Sequence, residues 1–140
     1  MEEVLAEKLV RLREYTQLLE EHSGVSWDEF NGNRLLYEAL ENLLRKAVES
    51  CLSIGELVIA ANGWEEAQTY RDVFRVLTAH GVLANEELTI FERMAGFRNI
   101  LIHEYDRVDK AAVFGLLKRR LEDFRRFARH ITEFAAKQQP

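Results

Sequence analysis

Apolar residues recur along most of this chain at alternating spacings of three and four, the period of a helix that buries one face. No stretch shows the apolar–polar alternation of a strand. Helix-capping residues precede the apolar runs, and glycines follow several of them. These signals predict helices over residues 2–22, briefly after Ser26, from Asn33 to about residue 62, and after Thr69, Asn85 and Asp109. The pattern predicts an all-α, up-and-down bundle of four main helices with one short extra helix.

The apolar stripes indicate which residues form the core. In the first helix the stripe is Leu5, Leu9, Leu12, Thr16 and Leu19. The last helix is predicted to run unbroken through Val113, Leu117, Leu121, Phe124, Ala128, Ile131 and Ala135. Cys51, the single cysteine, falls in the stripe of the long helix. We therefore interpret it as a small core residue rather than a catalytic thiol, and we expect no intrachain disulfide.

Length and composition narrow the class of protein. The 140 residues predict one domain over 1–140, large enough for one hydrophobic core. The acidic N-terminal residues do not resemble a signal peptide, and the longest apolar run, residues 57–61, is too short to span a bilayer. We therefore expect a cytoplasmic protein that does not enter a membrane.

The net charge of −5 conceals an uneven distribution. Residues 1–97 contain nine basic and 18 acidic side chains, whereas residues 98–140 contain ten basic and six acidic ones. The basic excess therefore begins near residue 98, which is consistent with an anionic ligand there. From charge alone, an ordinary solvated helix face explains it equally well.

The segment 97–106 combines polar residues of catalytic type with apolar ones. If its helix runs unbroken to Tyr105, Asn99 and His103 share one face, and Arg98 and Tyr105 lie on a second face together with Ile102. A third stripe would face the core and consists of Met94, Phe97 and Leu101. This arrangement would display an imidazole, an amide, a guanidinium and a phenol on a rigid support.

Other common site types are not indicated. There is no P-loop, nucleophile elbow, dinucleotide fingerprint or paired-cysteine metal site. His103, Glu104 and Asp106 do not have the His-Glu-x-x-His spacing, so we expect no metal. Three other histidines lie at helix ends or on a charged face and are interpreted as structural: His22, His80 and His130.

The residues alone leave two interpretations of the Arg98–Tyr105 cluster open. It is either a catalytic site or a polar interface stripe that pairs with acids of the long helix, such as Glu38 or Glu41.

The segment 94–109 contains an arginine, Arg98, followed after four residues by His103 and after one more by Tyr105. With Asn99 in register, this spacing resembles the signature of the HepT-like toxins of the HEPN superfamily. The resemblance extends to residues 70–74, 77 and 81–83 and to the long helix, and it covers nearly the whole chain. Ser53 departs from the pattern, because an acidic residue is common at that place.

This resemblance implies a HEPN-like helical homodimer that acts as a metal-independent endoribonuclease toxin of a type VII-like toxin–antitoxin pair. Arg98 and His103 would be catalytic, Asn99 would support them, and no cofactor would be needed. Tyr105 would receive AMP from a minimal nucleotidyltransferase antitoxin that silences the toxin.

The chemistry suits these residue types. RNA supplies its own nucleophile, the 2′-hydroxyl, so cleavage to a 2′,3′-cyclic phosphate needs a base, an acid and positive charge near the phosphorane. A histidine titrates near neutral pH and an arginine binds phosphate through two N–H groups. One chain offers a single such histidine, His103, and a two-fold dimer would supply the second.

A second function from a different class is kept beside the first. The chain would then be a non-catalytic helical adaptor that docks a nucleotidyltransferase partner without cutting RNA. Expression without the neighbouring gene separates the two, because only a toxin stops growth.

Overall fold

A computed structural model describes residues 2–102 and 109–138 of the chain. Within these ranges the protein is all-α, as predicted, with no strand. The helices are α1 (Glu2–Glu21), α2 (Trp27–Gly32), α3 (Arg34–Ala61), α4 (Tyr70–Ala79), α5 (Leu88–Leu101), α6 (Lys110–Arg119) and α7 (Leu121–Lys137), and a 3₁₀ turn (Asn85–Glu87) precedes α5. None of these helices has the length and apolar character needed to cross a membrane.

The long helix α3 is the centre of the bundle. Its 28 residues extend about 42 Å and contact α1, α2, α4, α5 and α7. The core includes five fully buried phenylalanines: Phe30, Phe74, Phe91, Phe124 and Phe127. Because α3 contacts five other helices, its buried face joins their apolar stripes into one continuous core.

Four of the predicted helix caps are confirmed. The side chains of Ser26, Asn33, Thr69 and Asp109 each accept a hydrogen bond of 3.1 Å from a backbone N–H three residues later. Each bond satisfies one of the N–H groups that the first turn of a helix leaves without a partner. These short-range signals therefore begin α2, α3, α4 and α6 where the sequence indicates.

The predicted cap at Asn85 is wrong. Asn85 opens the 3₁₀ turn, whose preceding residue Ala84 makes no side-chain cap, and α5 begins only at Leu88. Glu87 precedes α5 but its side chain does not cap the helix. Its carboxylate is bound by His130 at 2.9 Å and by Arg126 at 3.3 Å. The acid at the start of α5 therefore connects this helix to α7.

The last helix is not continuous, contrary to the prediction. Arg120 leaves the helical conformation at φ −121° and ψ 6°, and it separates α6 from α7. Both halves pack on α5, but α6 also packs on α2 whereas α7 also packs on α1 and α3. The apolar spacing continues across the break, and neither glycine nor proline marks it, so periodicity alone could not locate it.

The predicted core stripes are buried. Leu5, Leu9, Leu12, Thr16 and Leu19 of α1 are all at most 7% exposed. Cys51 is completely buried, and burial raises the pKa of its thiol well above the ordinary value. It is thus a core residue, and a thiol held protonated in this way is a poor nucleophile.

Helices α3 and α4 approach each other closely at Gly55. A Cβ at this position would overlap Val73 Cγ1 and lie 3.2 Å from Leu77 Cδ1. Val73 and Leu77 are themselves buried, so neither side chain has free space to move into. The distance between the two helices therefore depends on the absence of a side chain at residue 55.

We predict that Gly55→Ala destabilises the fold despite the better helix propensity of alanine. Overpacking a filled core costs about 1–3 kcal/mol, which exceeds the gain of about 1 kcal/mol from replacing a helical glycine. Chemical denaturation would measure the loss. Gly115→Ala in α6 is the matched control, since its nearest neighbour would be 3.8 Å away, and it should be neutral or stabilising. Equal stability of both variants would show that α3 and α4 can separate at no cost.

Candidate functional site

Helix α5 carries the described part of the signature and ends earlier than the sequence suggested. Its last residue is Leu101, and Ile102 is extended at φ −94° and ψ 123°. The last turn closes through a hydrogen bond of 2.9 Å from Ile102 N–H to the carbonyl oxygen of Arg98. The expectation of an unbroken helix to Tyr105 is therefore wrong at residue 102. Ile102 does not share a helical face with Arg98.

The core-facing stripe of α5 is confirmed. Met94 and Leu101 are completely buried and Phe97 is 3% exposed. Phe97 contacts Phe124 of α7 with the ring centroids 6.4 Å apart. These contacts fix the rotation of α5 about its axis and leave Arg98, in the last turn, on the outer side.

Arg98 is held by side chains from two other helices. Its guanidinium carbon Cζ lies 4.4 Å above the ring of Tyr70, the first residue of α4. Its Nε lies 3.5 Å from a carboxylate oxygen of Glu49 in the middle of α3. An aromatic face attracts a guanidinium at this distance, and the carboxylate adds a second attraction. The side chain remains about 29% exposed.

The ion pair with Glu49 is loose. Arg98 Nε is buried and makes no hydrogen bond, so the 3.5 Å contact brings opposite charges together without hydrogen-bond geometry. The carboxylate of Glu49 is itself half exposed. An anion with oxygens better placed for the planar guanidinium could therefore replace this carboxylate.

The other signature residues are placed as follows. Asn99 is exposed on α5, next to Arg98 in the chain. His103 and Tyr105 lie outside the described residues, so their positions relative to Arg98 stay predictions. The described structure thus shows the arginine and the amide of the predicted site, but not the imidazole or the phenol.

Glu49 and Tyr70 are the two residues that sequence reasoning missed. The predicted acidic partners, Glu38 and Glu41, lie on α3 as well, but Glu38 pairs with Arg34 at 3.2 Å and Arg98 contacts Glu49. Tyr70 stood in a segment that carried the family resemblance. The available signal was Thr69, whose side chain caps α4 and so makes Tyr70 the first residue of that helix.

Tyr70 also borders a groove of about 770 Å³ between the end of α3 and the start of α4. Trp64 lines this groove and stacks on the ring of His80 with the centroids 4.1 Å apart. His80 also contacts Glu65 at 3.2 Å. A hydrogen bond from its own backbone, and next this contact with His80, lower the pKa of the Glu65 carboxyl. His80 is engaged in packing and in this pair.

His22 and His130 also have structural partners. His22 Nδ1 lies 2.8 Å from the carbonyl oxygen of Leu18. His130 is bound to Glu87 and packs edge-on against Phe91. Within the two described ranges no group of three or more histidine, cysteine or acidic residues could hold a metal ion. The metal candidates weighed from sequence, His103, Glu104 and Asp106, fall outside those ranges.

Two proteins of known function are similar to this chain over most of its length. The chain is 21% identical over 127 residues to the mRNA nuclease HepT of Shewanella oneidensis, which covers 91% of this chain and 95% of that protein. It is 23% identical over 131 residues to the tRNA nuclease HepT of Aphanizomenon flos-aquae, which covers 94% and 89% of the two chains.

A solved structure shares the fold. The tri-AMPylated HEPN toxin of Shewanella oneidensis in complex with MNT antitoxin superposes with a TM-score of 0.82 at 20% identity. The match covers 95% of this chain and 99% of that one. The sequence model described as "Ribonuclease HepT-like" matches residues 12–131, which includes Arg98, Asn99, His103 and Tyr105. The chain belongs to the Ribonuclease HepT-like family.

Proposed function

We propose that this protein is a metal-independent endoribonuclease toxin that cleaves RNA with Arg98 and His103. The observation that carries the proposal is the position of Arg98, partly exposed at the end of α5, with a loosely bound carboxylate where a phosphate could bind. Family membership supports the class of reaction, and two relatives are named as nucleases of mRNA and tRNA.

The proposed chemistry uses the substrate's own 2′-hydroxyl as nucleophile. His103 removes or donates a proton, and Arg98 stabilises the negative charge that develops on the phosphorane oxygens. Attack by the 2′-oxygen forms a new P–O bond, the 5′-oxygen leaves with a proton, and a 2′,3′-cyclic phosphate results. Asn99, exposed beside Arg98, supplies amide hydrogen bonds to the phosphate or to His103.

A homodimer completes this mechanism. In-line transfer needs proton removal on one side of the phosphorus and proton donation on the other, whereas each chain offers one His103. Two copies of Arg98 and His103 near a two-fold axis supply both groups. The proposed active unit is therefore a dimer with composite sites, in which the single domain of residues 1–140 is the protomer.

The proposed regulator is a minimal nucleotidyltransferase antitoxin that transfers AMP to Tyr105. One solved relative is an AMPylated toxin bound to its MNT antitoxin, which supports this partner for a family member. An added AMP carries bulk and negative charge, and it would compete with RNA phosphate for Arg98.

We predict that Arg98→Ala and His103→Ala each lower RNA cleavage by about 10²–10⁴-fold, because general acid–base and charge-stabilising groups contribute this much. The assay is cleavage of labelled RNA by purified protein in excess EDTA, with circular dichroism to confirm the helical fold. Arg34→Ala is the control, an arginine of α3 whose side chain is 89% exposed, and it should cut at the wild-type rate.

The same assay separates the alternatives. Full cleavage by His103→Ala would refute its catalytic role. Loss of wild-type cleavage in EDTA, restored by a divalent cation, would refute the metal-independent mechanism. A wild-type protein that cuts no RNA and does not stop growth without its neighbouring gene would instead be the helical adaptor.

We predict that Tyr70→Ala lowers kcat by about two- to fivefold, since a partly exposed cation–π contact contributes roughly 0.5–1 kcal/mol. Tyr70→Phe keeps the ring and should keep the rate. Single-turnover cleavage measures both variants, and KM should change little if the ring only positions Arg98. Equal losses in both variants would assign the effect to the hydroxyl group and contradict the stacking role.

We predict that Tyr105→Phe resists the antitoxin, because the variant keeps the aromatic ring and lacks the oxygen that accepts AMP. Growth with co-expressed antitoxin measures resistance, and mass spectrometry of wild-type protein should place the added AMP on the peptide containing Tyr105. Tyr37→Phe is the control, since Tyr37 is only 6% exposed and is not accessible to the transferase. An unmodified Tyr105 peptide in fully inhibited toxin would show that docking alone silences the protein.

A further inference from the structure

A groove of about 360 Å³ between α1 and α3 collects basic side chains. Lys8 and Arg11 reach it from α1, and Arg45 and Lys46 reach it from α3. Residues 1–97 contain nine basic and 18 acidic side chains, so nearly half of the basic ones in this acidic part of the chain meet here. Such a concentration of one sign in a concave surface attracts a ligand of the opposite sign.

Three of these four side chains contact neutral groups. Lys8 Nζ donates to Ser53 Oγ at 2.8 Å, and Arg45 donates to the side-chain oxygen of Asn42 at 2.6 Å. Lys46 Nζ lies 5.8 Å from the ring centre of Tyr15. Arg11 is exposed. These neutral partners orient the cations without cancelling their charge, and Glu49 is the acidic residue that lines the groove beside them.

Three arginines of α7 form ion pairs with carboxylates, unlike the cations of the groove. They lie in the part of the chain where the sequence has its basic excess. Arg125 forms two hydrogen bonds with Glu20 and thereby lowers the pKa of that carboxyl. Arg126 lies 3.3 Å from Glu87, and Arg129 lies 3.3 Å from Glu122. Three of the positive charges that composition alone assigned to an anionic ligand are therefore neutralised within the protein.

The groove leads directly to the proposed catalytic arginine. Glu49, the one acidic residue among the described lining residues, belongs to the groove and also contacts Arg98 at 3.5 Å. Ser53 is one turn further along α3 and binds Lys8, so the residue that departs from the family pattern forms part of the groove. A polyanion lying between α1 and α3 would reach Arg98 on displacing the half-exposed Glu49 carboxylate.

We propose that this basic groove binds the phosphate backbone of single-stranded RNA and guides it to Arg98. The inference rests on the proposed ribonuclease function and adds a substrate-binding surface to it. Lysine and arginine side chains neutralise phosphates, and hydroxyl donors such as Ser50 and Ser53 can hydrogen-bond their oxygens. Binding of this kind depends on backbone charge and not on base identity.

The test is the affinity for a fluorescently labelled single-stranded 2′-O-methyl RNA, which retains the phosphates but has no nucleophilic hydroxyl. Fluorescence anisotropy would measure Kd over a range of salt concentrations for the wild-type full-length protein and for Arg11→Gln/Lys46→Gln. Both side chains are exposed, so the variant should keep the wild-type melting temperature.

The expected result follows from counterion release. Each lost phosphate contact lowers the slope of log K against log salt by about 0.7 for a single strand. Two lost contacts weaken binding about 25-fold at 0.1 M salt if the affinity at 1 M is unchanged. Arg13→Gln/Arg34→Gln is the matched control, because it removes two exposed arginines from the same helices outside the groove and should bind as the wild type does.

Wild-type affinity in the groove variant would overturn the proposal. The same loss of affinity in the groove variant and the control variant would also overturn it, since the attraction would then be diffuse. Cleavage of ordinary RNA by the wild-type protein is measured in parallel. Cleavage that is intact in all proteins would refute the groove while the ribonuclease function stands. Absence of both cleavage and binding in the wild type would refute the two together.

Discussion

The close contact between α3 and α4 at Gly55 is the constraint on which the arginine site depends. It brings α4 near enough to α3 for Tyr70 to lie against Arg98, whose own helix packs on both. The guanidinium is thus located by three helices whose other faces are in the core. Because a filled core resists small displacements, a partly exposed charge at the end of α5 acquires a defined position without a fully buried ion pair.

The charged residues of the protein serve two purposes that composition does not separate. Pairs such as Arg125–Glu20 and Arg93–Asp123 connect helices across the bundle, and the second includes a carboxylate that is only 7% exposed. Burial raises the pKa of Asp123, and Arg93 opposes that shift. Among the cations between α1 and α3, Lys8, Arg45 and Lys46 contact a hydroxyl, an amide oxygen and an aromatic ring. Charge already paired inside the fold is not available to a ligand.

Short-range signals in the sequence predicted most helix starts and buried faces correctly. Contacts between residues far apart in the chain could not be predicted from the sequence. The caps at Ser26, Asn33, Thr69 and Asp109 could be predicted because each depends on residues within three positions. The apolar period located the buried faces for the same reason. The cap predicted at Asn85 did not form, since Asn85 opens a 3₁₀ turn and α5 begins three residues later, beside a contact of Glu87 with α7.

In the candidate site, too, the contacts between distant parts of the chain could not be predicted from the sequence. The motif located Arg98, and the pattern of α5 indicated which side faces the core, but the partners of the guanidinium come from α3 and α4. The long helix was the right source of an acidic partner, yet periodicity does not tell which of its acids lies opposite a given turn of α5. The break at Arg120 is likewise set by the different neighbours of α6 and α7.

The loose contact of Glu49 with Arg98 has a consequence for selectivity. If Arg98 binds phosphate as proposed, the carboxylate tethered beside it would compete with that phosphate at a fixed, high local concentration. A small phosphate metabolite makes one contact and must displace that competitor unaided. A polymer held at several points along the adjacent groove presents its next phosphate at a comparable local concentration. The same acidic side chain would thus favour long anions over the abundant short ones of the cell.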